Sequence, residues 1–239
     1  MNFFDKYTSN YDMNIKELNY KYHHSYRVME NMKAIAKSIN LSSKDIELAK
    51  CIGLLHDIAR FTQFEKFKSF NDINLDHGDY AINILKETNA LKYFDINKSD
   101  YEVVYKAIKN HNKYEIESNL SERELLFSKM IRDADKLDIL YALGNPELKE
   151  IFREDKGEIS ERIHKEFYQN KLVKLNFQEN ENENIIVLFS FIYDINFNTS
   201  IDIIKQNKLY EKIYNRLKQK ELFKPYIEYV NKYIDERTE

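Results

Sequence analysis

Leu48-Ala49-Lys50-Cys51-Ile52-Gly53-Leu54-Leu55-His56-Asp57-Ile58-Ala59 decides how this chain folds. Apolar side chains surround most of the circumference of the helix this run would form, and such a helix belongs in an interior. It closes on His56-Asp57. A carboxylate taken into an interior without a partner is costly, and the surrounding helix offers Asp57 no counter-charge. A neutral imidazole beside a carboxylate is a good ligand pair for a divalent cation.

The rest of the composition agrees with a helical protein. Four glycines and two prolines among 239 residues are too few for a turn-rich sandwich or barrel, and they favour long helices with short connections. Hydrophobic residues make up 43% and charged residues 32%, as in soluble globular proteins. The balance of 37 basic and 40 acidic residues supplies no broad basic field, so nucleic acid is not expected as a partner. Cys51 is the single cysteine; it excludes an intrachain disulfide and reads as core filler. The N-terminus lacks the basic and apolar regions of a secretion signal. The most apolar run, Ile185 to Tyr193, is too short to cross a bilayer. No membrane association and a cytoplasmic location are the expectations.

Helix starts are marked by Ser42 before Asp45, Ser99 before Glu102, Ser121 before Glu124 and Thr199 before Asp202, each near capping-box spacing. The pattern predicts helices at 13–39, 43–59, 77–88, 99–111, 121–143, 146–152, 157–170, 199–205, 207–220 and 222–236. Gly144-Asn145-Pro146 ends one helix and starts another. Residues 60–76 read as a loop anchored by Phe61, Phe64, Phe67 and Phe70. Residues 178–184 read as a polar surface loop, and 172–177 as a short strand without a partner. One all-α unit over 1–239 is expected: a motif-bearing bundle core at about 20–143 and a C-terminal helical extension at about 146–239. The apolar faces after residue 199 could cover the core or form a homodimer face.

Six residues are candidate ligands: His24, His56, Asp57, His77, His111 and Asp135. Periodicity sorts them. His24 shares a stripe with Val28, Met32 and Ile35 and points inward, while His23 aligns with Arg27 and Asn31 and points outward. Asp135 shares its stripe with Ser128, Ile131, Ile139 and Ala142. Asp133, beside Lys129 and Lys136, reads as a solvated charge, and so does Lys136. His77 opens a helix and His111 closes one. Five of the six histidines precede residue 112; the sixth, His164, sits among charged residues and reads as surface. A lone inward His is more often a hydrogen-bonded core residue than a ligand, so the case rests on the set.

The ordered pattern His24 … His56-Asp57 … His77 … His111 … Asp135 resembles the HD-domain superfamily of metal-dependent phosphohydrolases. The local texts that carry the resemblance are His24-Ser25-Tyr26-Arg27-Val28, Leu54-Leu55-His56-Asp57-Ile58-Ala59-Arg60-Phe61, Asp76-His77-Gly78 and Arg132-Asp133-Ala134-Asp135-Lys136-Leu137-Asp138. Phe191 to Phe197 also resembles uncharacterised bacterial members. The resemblance implies that His24, His56, Asp57 and Asp135 hold one ion. His77 and His111 would be the added pair of dinuclear members, with Asp57 bridging. After His77 the chain reads Gly78-Asp79-Tyr80-Ala81, without the Gly-Tyr-Pro of the cyclic-di-GMP phosphodiesterase branch.

Such a site would take one or two divalent transition ions, Mn, Fe, Co, Ni or Zn, rather than Ca. It would lower the pKa of a bound water from 15.7 to about 7 for hydrolysis of a phosphoester of a small metabolite or nucleotide. Asp57 and Arg60 are the expected catalytic residues. Arg60, one turn after His56 and Asp57, could bind a phosphate oxygen bidentately, with Lys136 a second substrate contact. Asp138, one turn from Asp135, is expected to orient a ligand. Two other readings use the same residues: a mixed-valent di-iron oxygenase, and a nucleotide-binding regulatory module without catalysis.

Overall fold

The computed structural model describes residues 2–73, 75–150, 157–174 and 180–238. The fold is all-α, with no strand among the described residues. The chain divides into two compact units, 1–138 and 139–239.

The first unit holds α1 (Phe3–Thr8), α2 (Lys16–Ser38), α3 (Ser43–Leu55), α4 (Ala59–Phe67), α5 (His77–Glu87), α6 (Tyr101–Asn110) and most of α7 (Glu122–Gly144). α2 and α3 pack along one another, and α5 packs on α4 and α6. The α2 stripe predicted from the sequence is buried throughout: His24, Val28, Met32 and Ile35. In α3 every residue from Leu48 to Leu55 except Lys50 is buried. Gly53 explains how closely these helices approach. A Cβ there would lie 2.8 Å from Met29 Cα and 3.0 Å from Met32 Cγ, so only glycine lets the two backbones meet at this level.

The second unit holds the end of α7 and α8 (Glu161–Phe167), α9 (Glu181–Phe189), α10 (Asn198–Gln206), α11 (Leu209–Arg216) and α12 (Lys220–Thr238). α12 packs on α9, α10 and α11 over a core that includes Phe189, Ile201, Ile213, Phe223 and Val230. The boundary between the units falls inside α7.

Two of the four expected starts are caps. Ser42 accepts from the Asp45 backbone, and Ser121 and Glu124 bond reciprocally. Ser99 lies in a 3-10 turn before α6, and Thr199 lies inside α10. The expected helix 43–59 stops at Leu55, and much of the expected loop 60–76 is α4. A turn through His56-Asp57-Ile58 separates them. Phe61 and Phe64 are buried, so they serve the core of a helix. The N-terminal helix α1 was not expected; Phe4, fully buried among Tyr22, Tyr26 and Phe61, holds it. The polar run 178–184 is partly α9, because Asn180 and Glu183 form a capping box and Asn182 donates to Gly157 O at 2.8 Å. Residues 146–148 form a turn rather than a helix, and the rest of 146–152 beyond residue 150 lies outside the described residues. The proposed strand has no regular structure at 172–174, and 175–177 lie outside the described residues.

Candidate metal centre

All six candidate ligands converge in the first unit. His24 Nε2 lies 3.2 Å from His56 Nε2 and 3.2 Å from Asp135 Oδ1. His77 Nε2 lies 2.9 Å from His111 Nε2. Asp57 stands between the two pairs. Its Oδ2 faces His24 and His56 at 3.4 and 3.7 Å, and its Oδ1 faces His77 and His111 at 3.5 and 3.6 Å. The His56 and His111 rings meet edge-on at 5.0 Å, joining the halves. Two overlapping groups satisfy the geometry of an ion site: His24, His56 and Asp135, and His56, Asp57 and His111.

The backbone determines how each imidazole is aimed. His56 and His111 are the residues at which α3 and α6 end. The last carbonyls of a helix lack intrahelical partners, and both rings use them: His56 Nδ1 donates to Gly53 O at 2.8 Å and His111 Nδ1 to Ile108 O at 2.6 Å. His24 lies within α2 and His77 at the first position of α5, so neither has such a carbonyl. Carboxylates take that role instead. His24 Nδ1 bonds Asp138 Oδ2 at 2.6 Å, and His77 Nδ1 bonds Asp72 Oδ2 at 2.6 Å. With every Nδ1 donating outward, every Nε2 turns its lone pair inward. Opposed lone pairs at 2.9 and 3.2 Å require a positive charge between them, either a proton or an ion.

The electrostatics follow. Burial and Lys21 both push His24 toward the neutral form, yet Asp135, Asp138 and Asp57 outweigh them and raise its pKa to about 10. Burial lowers His56, and it takes His77 down to about 4 against the pull of Asp72. Asp57 and Asp135 stay well below the usual carboxylate range. Burial opposes this, but Lys21 and His56 hold Asp57 ionised, and His24 and His56 hold Asp135.

Several supporting groups escaped the sequence reading. Asp57 does have a counter-charge: Lys21 Nζ lies 2.6 Å from its Oδ2, from one turn before His24 on α2. That spacing was the available signal. Asp72 and Gln63 had no signal, because they act through a non-periodic segment. Arg132, expected only as part of a motif, is fully buried. It donates to Asn110 O at 3.1 Å, to Tyr114 O at 3.2 Å and to Lys113 O, fixing the chain around His111. Asp138 orients His24 as expected and is itself held by Arg27 Nε at 2.6 Å.

Two expectations about surface charge are overturned. Asp133 is fully buried and Lys136 is only 7% exposed, because α7 is surrounded more completely than a one-faced stripe implies. His23 and His164 are exposed, as expected. Arg60 lies near the centre, with Nε 3.5 Å from Asp57 Oδ1. Its Nη1, however, is engaged by Gln63 Oε1 at 2.7 Å, Phe70 O at 2.6 Å and Asp72 Oδ1 at 2.8 Å.

A helical unit that gathers four imidazoles and two carboxylates around one interior point has the donor set of a divalent-metal centre. Residues 22–140 match the family model of the HD domain, and the chain belongs to that family, the metal-dependent phosphohydrolases. No curated protein and no solved structure matches the chain. No helix among the described residues is long and apolar enough to cross a membrane.

Proposed function

We propose that the protein hydrolyses a phosphoester of a small metabolite or nucleotide at a two-ion centre. His24, His56, Asp57 and Asp135 would hold one divalent transition ion, and His77, His111 and Asp57 the other. The observation that carries this reading is the paired, inward-facing Nε2 atoms with Asp57 between them. Imidazole with carboxylate suits Mn, Fe, Co, Ni or Zn. Ions so held would lower the pKa of a water and neutralise phosphate oxygens.

The chain's own residues supply the remainder. Asp57 offers one oxygen to each pair, so it couples the halves. Asp138 and Asp72 hold two imidazoles in the tautomer that presents Nε2. Lys21 and Arg60 bring two cations beside Asp57, where a phosphate dianion would be attracted. In this reading Arg60 contacts the phosphate beside its hold on Asp72, while Lys136, largely buried, contributes from α7.

The test is phosphate release from a broad phosphoester panel by metal-loaded protein, against a His56→Ala/Asp57→Ala control. Release that depends on both residues and on added ion supports the reading. Equal release by the control would overturn it.

A further inference from the structure

The two halves of the centre are built to different standards of rigidity. In the His24–His56 half, every orienting group lies on a helix. Gly53 belongs to α3, and Asp138 belongs to α7 and is pinned by Arg27 Nε at 2.6 Å and Nη2 at 3.0 Å. In the His77–His111 half, His111 is oriented by its own helix. His77 depends on Asp72, which lies in the connection between α4 and α5 and has a 36% exposed side chain.

The described residues of that connection form bends and a turn rather than helix. Two residues of α4 hold it. Gln63, fully buried, spends its amide on the segment: Nε2 donates to Asn71 O at 3.1 Å, Asp72 Oδ1 at 3.0 Å and Leu75 O at 3.3 Å. Arg60 Nη1 closes on Phe70 O and Asp72 Oδ1. Asp72 is therefore gripped by α4 through Oδ1, while its Oδ2 accepts from His77 Nδ1 at 2.6 Å and, more distantly, from Asn112 Nδ2 at 3.4 Å. A buried glutamine whose two amide hydrogens are shared among three acceptors of one segment is a considerable commitment for a surface turn that only joins two helices. Its effect is to put a carboxylate where His77 needs an acceptor.

Resting on the metal-centre reading above, we infer that the two ion positions are inequivalent. Occupancy of the His77–His111 position depends on Asp72 as its positioning residue, with Gln63 and Arg60 holding Asp72 in place. Groups that orient a ligating histidine are worth about 10–100-fold in metal affinity. Without Asp72 the His77 ring can rotate or change tautomer, and its Nε2 no longer faces His111. Asp57 links this network to the His24–His56 half, lying 3.5 Å from Arg60 Nε and 3.5 Å from His77 Nε2.

The experiment is equilibrium titration of metal-stripped protein with Co²⁺, followed by its visible absorption and by elemental analysis per chain. The native chain is compared with Asp72→Asn, Asp72→Glu and Gln63→Ala. The native chain is expected to take one ion tightly and a second more weakly. Asp72→Asn is expected to keep the first at native affinity and lose the second by at least about tenfold, with partial recovery in Asp72→Glu. Gln63→Ala should move the same way by a smaller factor. Thermal unfolding of the stripped variants is measured alongside, since a merely structural role would lower stability without changing stoichiometry. The inference is overturned if Asp72→Asn binds two ions as the native chain does, if it loses both together, or if the native chain takes only one. A native chain that takes up no ion would instead remove the metal-centre reading itself.

Discussion

His77 and His111 face one another through Nε2 at 2.9 Å, one from the first position of α5 and the other from the end of α6. Each has its Nδ1 committed to an acceptor, so neither can rotate away without losing a hydrogen bond. Gly78, the residue after His77, makes the approach possible. A Cβ there would lie 3.1 Å from Lys109 O and would collide with the Asn112 side chain.

The same argument at His24 gives a proton count. With its pKa raised to about 10 by Asp135, Asp138 and Asp57 against burial, His24 is an imidazolium in metal-free protein at neutral pH. An ion at Nε2 must displace that proton. Binding of the first ion should therefore release about one proton and strengthen by about tenfold per pH unit between 6.5 and 10. Calorimetry in buffers of different ionisation heat measures this directly, and a heat independent of buffer would contradict it.

Asp138→Asn removes the carboxylate that orients His24. Affinity for the first ion should fall by about 10–100-fold with the helical content unchanged. Circular dichroism and the same titration check both halves of the statement; native affinity in the variant would show that Asp138 serves Arg27 alone.

Gly53→Ala forces a methyl against the Met29 backbone at 2.8 Å, and backbone cannot move aside as a side chain can. The expected loss is about 1–3 kcal/mol from overpacking. Separation of α2 from α3 should also weaken metal uptake, since His24 and His56 meet across that contact. Denaturant unfolding gives the first quantity; an alanine variant as stable as the native chain would refute the close-approach argument.

His77 sets an acid limit on the metal-free protein. Burial holds its folded pKa at about 4, below the ordinary 6.5, so between these values the unfolded chain binds more protons than the folded one. Stability then falls as pH drops from 6.5 to 4. His24 has the opposite sign: its raised pKa contributes stability that is complete below 6.5 and is lost as pH rises toward 10. Metal-free protein should be most stable near pH 6.5, with melting lowered by at least about 2–4 °C toward either limit, the equivalent of roughly 1 kcal/mol in a domain of this size. A His77→Gln variant should make the acid side shallower and leave the alkaline side unchanged, the buried His56 keeping part of the acid slope.

Because the boundary between units falls inside α7, we propose that 1–239 acts as one domain, and a single calorimetric transition is expected. Two separated transitions would assign the halves independent stability.

The amino-acid sequence by itself determined the helical class, the burial of α3, the inward stripe of α2 and the six side chains that meet. Each of these follows from local periodicity, residue chemistry or motif order, which a linear string carries. It also implied the role of Asp138, because one helical turn relates it to Asp135. Tertiary structure alone decided what surrounds the centre. Lys21 reaches Asp57 across the α2–α3 contact, Arg132 is drawn inside to satisfy carbonyls beyond α6, and Asp133 and Lys136 are buried on a helix that a one-stripe reading leaves half-solvated. Asp72 meets His77 only because Gln63 and Arg60 hold an irregular segment. Hydrogen bonds between distant segments have no period, so Asp72 and the residues that hold it became visible only once the helices were packed.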